Sequence, residues 1–162
     1  MNELQIFDNE DFAKIKEIEN SNKGKYTGFF YVLEYGDFVK IGSTKNPYQR
    51  LMALKRNAVN YGNLKIGRLA ISIPHTNYVE NEKHLHEYFK DKRKRGSELF
   101  DCALEEIIPD ILTVAEYRDD SEKINAKADM FFQGMKRFVM GGANLWMIYK
   151  CLATRNLEIS EQ

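Results

Sequence analysis

The sequence predicts an α/β fold of the α+β kind: a small, mainly antiparallel three-stranded sheet flanked by helices, with a helical C-terminal extension. Three observations carry that expectation. Val, Ile, Tyr and Phe crowd residues 29–35 and 38–41 on either side of Gly36-Asp37, as half-buried strands joined by a tight turn require. Apolar residues then recur at helical spacing, from Tyr48 and again from Val79. Beyond residue 119 the apolar spacing becomes seven, which suits a helix packed along a partner helix.

Taken in order, residues 1–27 read as a short amphipathic helix and a linker. Asp8 is the expected cap, Phe12, Ile15 and Ile18 form a narrow apolar edge, and Asn20 to Lys25 is a polar breaker. In the hairpin that follows, Gly36 stands where a type II′ turn wants glycine. Residue 35 then faces 38, Tyr31 faces Gly42, and Leu33 faces Lys40. Period two collects Phe30, Val32, Val39 and Ile41 on one face, and Tyr31, Leu33, Lys40 and Gly42 on the other. The phenol thus faces open space, with an ammonium as its diagonal neighbour at roughly 7 Å.

Asn46 caps the next helix, Pro47 suits its first position, and Gln49 completes a capping box. Tyr48, Leu51, Leu54 and Ala58 make its buried stripe, with Arg50 at the edge, able to reach back over the end of the sheet. Leu64 to Ile73 reads as the third strand, with a bulge at Gly67 where the alternation slips, and Pro74 ends it. Residues 77–92 are helical, capped by Asn77 or Thr76, with Val79, Leu85 and Phe89 as the buried line. Glu82 sits beside that line and His86 one turn further on. Leu99 and Phe100 suit a short strand, and Leu104 to Tyr117 a helix broken or started near Pro109. In the tail, Ile124, Phe131, Phe138, Leu145 and Leu152 form a seven-residue seam joined by Ala128, Met135 and Tyr149. Gly141-Gly142 is expected to kink it. The expected organisation is an N-terminal helix and linker (1–27), a central domain (28–118) and a helical tail (119–162) that could pair with a second copy.

The chain has 162 residues, 43% hydrophobic and 30% charged, enough for one core under a solvated surface. No run approaches a membrane span, the N-terminus lacks the order of a signal peptide, and the cytoplasm is the default compartment. Two cysteines, Cys102 and Cys151, make neither a disulfide framework nor a cysteine zinc site. A net charge of zero hides an uneven distribution. Residues 28–100 hold 13 basic and 7 acidic side chains, against 4 and 6 before them and 7 and 11 after. A basic central segment argues for a phosphate-bearing partner.

Tyr31, then Lys40-Ile41-Gly42, then Arg50 eight residues later, resembles the GIY-YIG endonuclease superfamily, and in particular its phage and bacterial branch, which often reads KIG for YIG. Glu82-Lys83-His84-Leu85-His86 is similar to that branch's E-x-x-L-H helix, and Gly96-Ser97-Glu98-Leu99-Phe100 to its G-E-W-F ending. The resemblance covers about residues 28 to 102. It implies a metal-dependent DNA endonuclease of phage, prophage or mobile-element origin, with Tyr31, Lys40, Arg50 and Glu82 as catalytic residues. Hydrolysing a phosphodiester needs an activated water, charge on the phosphate and help for the leaving oxygen. Glu82 is the expected ligand for Mg²⁺ (or Mn²⁺), a hard cation that keeps most of its waters. Arg50 suits the non-bridging oxygens in fork geometry. Tyr31 is the candidate base, its pKa lowered by Lys40 and the metal. His86 and Glu98 are secondary candidates, and Lys92, Arg93, Lys94 and Arg95 are the expected DNA contacts. His75 or His86 could replace the His or Tyr that relatives hold where this chain has Leu54, and Tyr35 is a fallback phenol. The alternative is a catalytically inactive GIY-YIG-like module that binds DNA or a regulatory protein.

Overall fold

The computed structural model describes residues 3–8, 10–60 and 65–140. Its strands and helices follow in the order β1 (Leu4–Phe7), α1 (Phe12–Ser21), β2 (Phe29–Tyr35), β3 (Phe38–Thr44), α2 (Pro47–Asn60), β4 (Ile66–Ser72), α3 (Tyr78–Tyr88), β5 (Leu99–Phe100), α4 (Leu104–Val114) and α5 (Ser121–Met140). The expected α+β class is what is found, but the sheet is larger than the three strands expected, because β1 and β5 extend it at its two edges. The sheet has five strands in the order β1-β4-β2-β3-β5, and every pairing is antiparallel.

The hairpin takes the register its turn dictates. Gly36 has φ +67°, a left-handed conformation that glycine adopts without penalty. Tyr35 therefore meets Phe38, Leu33 meets Lys40, and Tyr31 meets Gly42. Cross-strand partners share a face, so Tyr31 and Lys40 lie on the same side. Phe30, Val32, Val39 and Ile41 turn the other way, into a core with Leu85 of α3, Phe89 just after it, and Leu104, Ile107 and Ile111 of α4. Tyr31 and Leu33 pack with Ile15 of α1 and with Leu51, Leu54 and Ala58 of α2. Each large side chain buried this way contributes about 1.5–3 kcal/mol. The bulge falls where the alternation slipped: Leu33 pairs with Leu69 but Tyr35 with Ile66. A Cβ on Gly67 would come within 2.8 Å of the Glu34 Cβ, and the Glu34 carboxylate accepts the Arg68 backbone N–H at 2.7 Å.

Several local expectations are corrected. Residues 4–7 form an edge strand paired to β4 where only a helix and linker were expected, and Asp11 rather than Asp8 precedes α1. The free N–H groups of Tyr48 and Gln49 at the start of α2 go to the Glu19 carboxylate on α1, at 2.8 and 3.3 Å, so the cap comes from another helix. Val79 is 41% exposed, and Asn81 holds the buried position with Leu85 and Phe89. Pro109 lies inside α4, which runs unbroken and ends at Val114. The helix expected to reach residue 92 ends at Tyr88 and continues as a 3-10 turn, Lys90–Lys92.

The chain divides into two compact units, Met1–Ser121 and Glu122–Gln162. In the second, α5 runs without a break to Met140. Ile124, Ala128 and Met135 are half-buried, while Phe131 and Phe132 are 45% and 62% exposed. The side chain of Phe138, the Gly141-Gly142 kink and the seam at Leu145, Tyr149 and Leu152 lie outside the described residues, as does Cys151. No helix of the described residues is long and apolar enough to cross a membrane.

Candidate functional site

The hairpin sets Tyr31 in front of Gly42, and the space before the phenol is filled by its own ring. A Cβ on residue 42 would lie 2.5 Å from Tyr31 Cζ, with Oη closer still; only glycine fits there. Tyr31 is left 3% exposed. Arg50, in the first turn of α2, donates from Nε to Tyr31 Oη at 3.1 Å, which leaves both terminal amino groups of the guanidinium for another acceptor. Burial pushes the phenol above its ordinary value of 10.0, and the hydrogen bond and charge of Arg50 pull it part of the way back. Lys40 was the cation expected to do this. It shares the face as predicted, but its ammonium is paired with the Glu98 carboxylate. That hydrogen bond, with the charges of His86 and Arg50, holds the Glu98 carboxyl below its ordinary range.

Glu82 approaches from the other face. β5 pairs with β3 only at Val39 and Lys40, so the β3 edge is free of a strand from Ile41 onward. There α3 closes in. His86 Nε2 donates to the Ile41 carbonyl at 3.1 Å; a carbonyl only accepts, so this nitrogen carries the proton. Ser43 donates to one Glu82 carboxylate oxygen, and the other lies 3.9 Å from His86 Nε2. The charges of Glu82 and Glu98 both act on Tyr31 and Arg50. Tyr31, Lys40, Arg50, Glu82, His86 and Glu98 therefore form one cluster around the open edge of β3, supplied by both faces of the sheet.

Next to Glu98 the chain forms a basic hollow of ≈ 500 Å³, lined by Lys90, Arg93, Lys94, Arg95, Gly96, Ser97 and Glu98. The cations are not equivalent. Lys92 reaches Glu106 at 3.5 Å, Arg93 donates to the Ser97 carbonyl at 2.9 Å, and Lys94 sits 4.2 Å above the Phe38 ring. Gly96 has φ +72°, which lets the loop turn back to place Glu98 over Lys40.

No curated protein and no solved structure matches the chain. The T5orf172 domain matches residues 28–114, more than half of the sequence. The chain belongs to the T5orf172 domain family. That domain occurs in nuclease-like proteins of phages and bacteria. Every member of the cluster lies inside the T5orf172 region, whereas β1 and α1 precede it.

Two residues of functional interest in the T5orf172 protein escaped the sequence reading. Ser43 holds Glu82, and its position directly after Gly42 was the available signal. Glu19 caps α2 from α1, and nothing local to either helix announces it. His75 does not join the cluster. It is 2% exposed, held by Ile73 O at 2.8 Å through Nδ1 and by Asn81 Nδ2 at 2.9 Å through Nε2, and burial lowers its pKa. Tyr35 sits at the turn, opposite Phe38, and is no substitute for Tyr31. Among the described residues no three His, Cys, Asp or Glu side chains converge on a possible metal. Glu82 is one hard carboxylate with its side chain 28% exposed, a donor suited to a largely hydrated Mg²⁺ rather than to Zn²⁺.

Proposed function

We propose that this T5orf172 protein is a metal-dependent endonuclease of the GIY-YIG-like kind, of phage, prophage or mobile-element origin, that hydrolyses DNA phosphodiester bonds. The observation that carries the reading is the hydrogen bond of Arg50 to Tyr31, with Glu82 near enough for its charge to act on both, on a basic segment. In this reading the scissile phosphate lies between Arg50 and Glu82. The terminal amino groups of Arg50 bind the non-bridging oxygens, and charge builds up there in the transition state. Tyr31 accepts the proton of the attacking water, after losing its own to solvent; Arg50 stabilises the phenolate. Glu82, oriented by Ser43, is the residue that would hold Mg²⁺, which supplies positive charge for the phosphate and the leaving oxygen. Lys40 keeps Glu98 ionised and in place. The run Lys92 to Arg95 faces the backbone to one side, with Arg95 making the main contact and Lys92 held by Glu106.

A second reading has its own observation. Tyr31 is buried and its pKa is raised rather than lowered, which favours a module that binds DNA or a regulatory protein without cleaving it. Incubation with supercoiled plasmid and Mg²⁺ or Mn²⁺, with and without chelator, separates the two. Nicking by the parent is expected. Tyr31→Phe, Arg50→Ala and Glu82→Ala should each lower its rate by about 10² or more. Cleavage by Tyr31→Phe at the parent rate would remove the phenol from the mechanism. No cleavage with either metal would overturn the nuclease reading.

A further inference from the structure

The T5orf172 match begins at residue 28, yet the segment before it binds the backbone of the helical turn that carries Arg50. Arg50 is in the first turn of α2, and that turn has unusual support. Pro47 has no N–H, so Tyr48 and Gln49 present the remaining free donors of the first turn. Both go to one oxygen of Glu19, at 2.8 and 3.3 Å. The first turn of α2 contains no acidic residue of its own, so Glu19 is also the negative charge that complements the helix dipole there. α1 is fixed in turn: Ile15 is 1% exposed, in the same core cluster as Tyr31, Leu51 and Leu54, and Lys16 lies 5.6 Å above the Tyr48 ring.

We propose that Glu19 is a positioning residue for Arg50. By gripping the first turn of α2 from α1, it holds the guanidinium on the Tyr31 oxygen, so the segment ahead of the T5orf172 region completes the site. Its value for cleavage rests on the nuclease reading; its effect on Arg50 does not.

The comparison that tests this holds charge constant. Glu19→Gln and Glu19→Ala both remove the carboxylate, but only Gln still offers an oxygen to the two N–H groups. The readout is the Arg50 Nε–H resonance in ¹⁵N-labelled full-length protein, followed by its exchange with solvent. In the parent and in Glu19→Gln this proton should be protected by Tyr31 Oη. In Glu19→Ala it should exchange at least tenfold faster, while the amides of β2 and β3 stay protected. A purely structural role for Glu19 would lower the melting temperature and leave that proton unchanged. If Glu19→Ala does not fold, Glu19→Asp keeps the charge but falls one methylene short, and should show the same loss. Unchanged Arg50 protection in a folded Ala or Asp variant would overturn the proposal, whether or not the parent cleaves DNA. Conversely, accelerated exchange in a protein without nuclease activity would uphold the positioning and overturn only the nuclease reading. If the parent cleaves, Glu19→Ala should slow cleavage about tenfold and Glu19→Gln should restore most of the rate.

Discussion

Gly42 and Tyr31 have to be read as one unit, because a side chain at 42 and the phenol at 31 would occupy the same place. The spacing of the two residues was enough to pair them. Which cation serves the phenol was not. Lys40 is the nearer neighbour across the strands, but the direction in which α2 leaves the sheet puts Arg50 on the oxygen. Tyr117 is a different case. Its hydroxyl is buried with no hydrogen-bond partner among the described residues. The ring packs against His75 and Phe30 at 5.0 and 6.1 Å, and burial pushes its pKa up to about 12. Tyr31 is raised in the same direction. Folded, both hold protons that the unfolded chain releases near pH 10, so their contribution is intact below pH 10 and falls as pH rises through the folded values. Tyr117→Phe should be neutral or more stable by about 1 kcal/mol at pH 7, since an unpaired hydroxyl is removed, and its alkaline decline should be shallower. Melting curves at pH 7 and pH 10.5 check this; a clear loss at pH 7 would show that the hydroxyl has a partner.

Hydropathy assigns the buried face of α3 to Val79, but the helix is rotated to bury Asn81. The reason is the segment after α4. Asn81 Nδ2 donates to His75 Nε2 and to the Glu116 carbonyl at 2.9 and 2.6 Å, while its oxygen accepts the Glu116 N–H at 3.2 Å. Asn77 binds Glu116 O and the Arg118 N–H, and Thr76 the Arg118 carbonyl. A buried amide is stable when its polar atoms are satisfied, and here it satisfies residues 115–118, which belong to no helix or strand. Asn81→Ala should cost about 2–3 kcal/mol, because it strands buried groups on both sides. An unchanged melting temperature would show that these bonds contribute nothing. The same lock should weaken in acid. His75 is held neutral, its pKa below the ordinary 6.5, so its contribution is present above pH 6.5 and is lost as pH falls through the lower folded value.

At the scale of the whole molecule, a neutral chain carries a basic middle, and the 90–98 loop gathers part of that charge beside the cluster. Its four central cations should not count equally toward DNA. Lys92 is engaged by Glu106 and Arg93 by the Ser97 carbonyl, whereas Arg95 has no such partner among the described residues. Each phosphate neutralised adds about 0.9 to the slope of log affinity against log salt. Arg95→Ala should therefore lower that slope by about 1, and Lys92→Ala should change it little. Equal slopes for Arg95→Ala and the parent on a short duplex would place the DNA elsewhere.

The sequence by itself determined what depends on near neighbours: the hairpin and its register, the Gly67 bulge, the α2 stripe, and the order in which Tyr31, Lys40, Arg50 and Glu82 appear. Turn geometry and side-chain period settle the register, the bulge and the stripe, each within about a dozen residues. Only the tertiary structure decided that β1 joins the sheet, that Glu19 caps α2, that Lys40 is paired with Glu98, and that Glu82 reaches the site around the β3 edge from the opposite face. Those facts join residues up to 68 positions apart, Leu4 and Ser72 among them. They follow from which free N–H, carbonyl or charge each element leaves unpaired after packing, and local pattern carries no record of that.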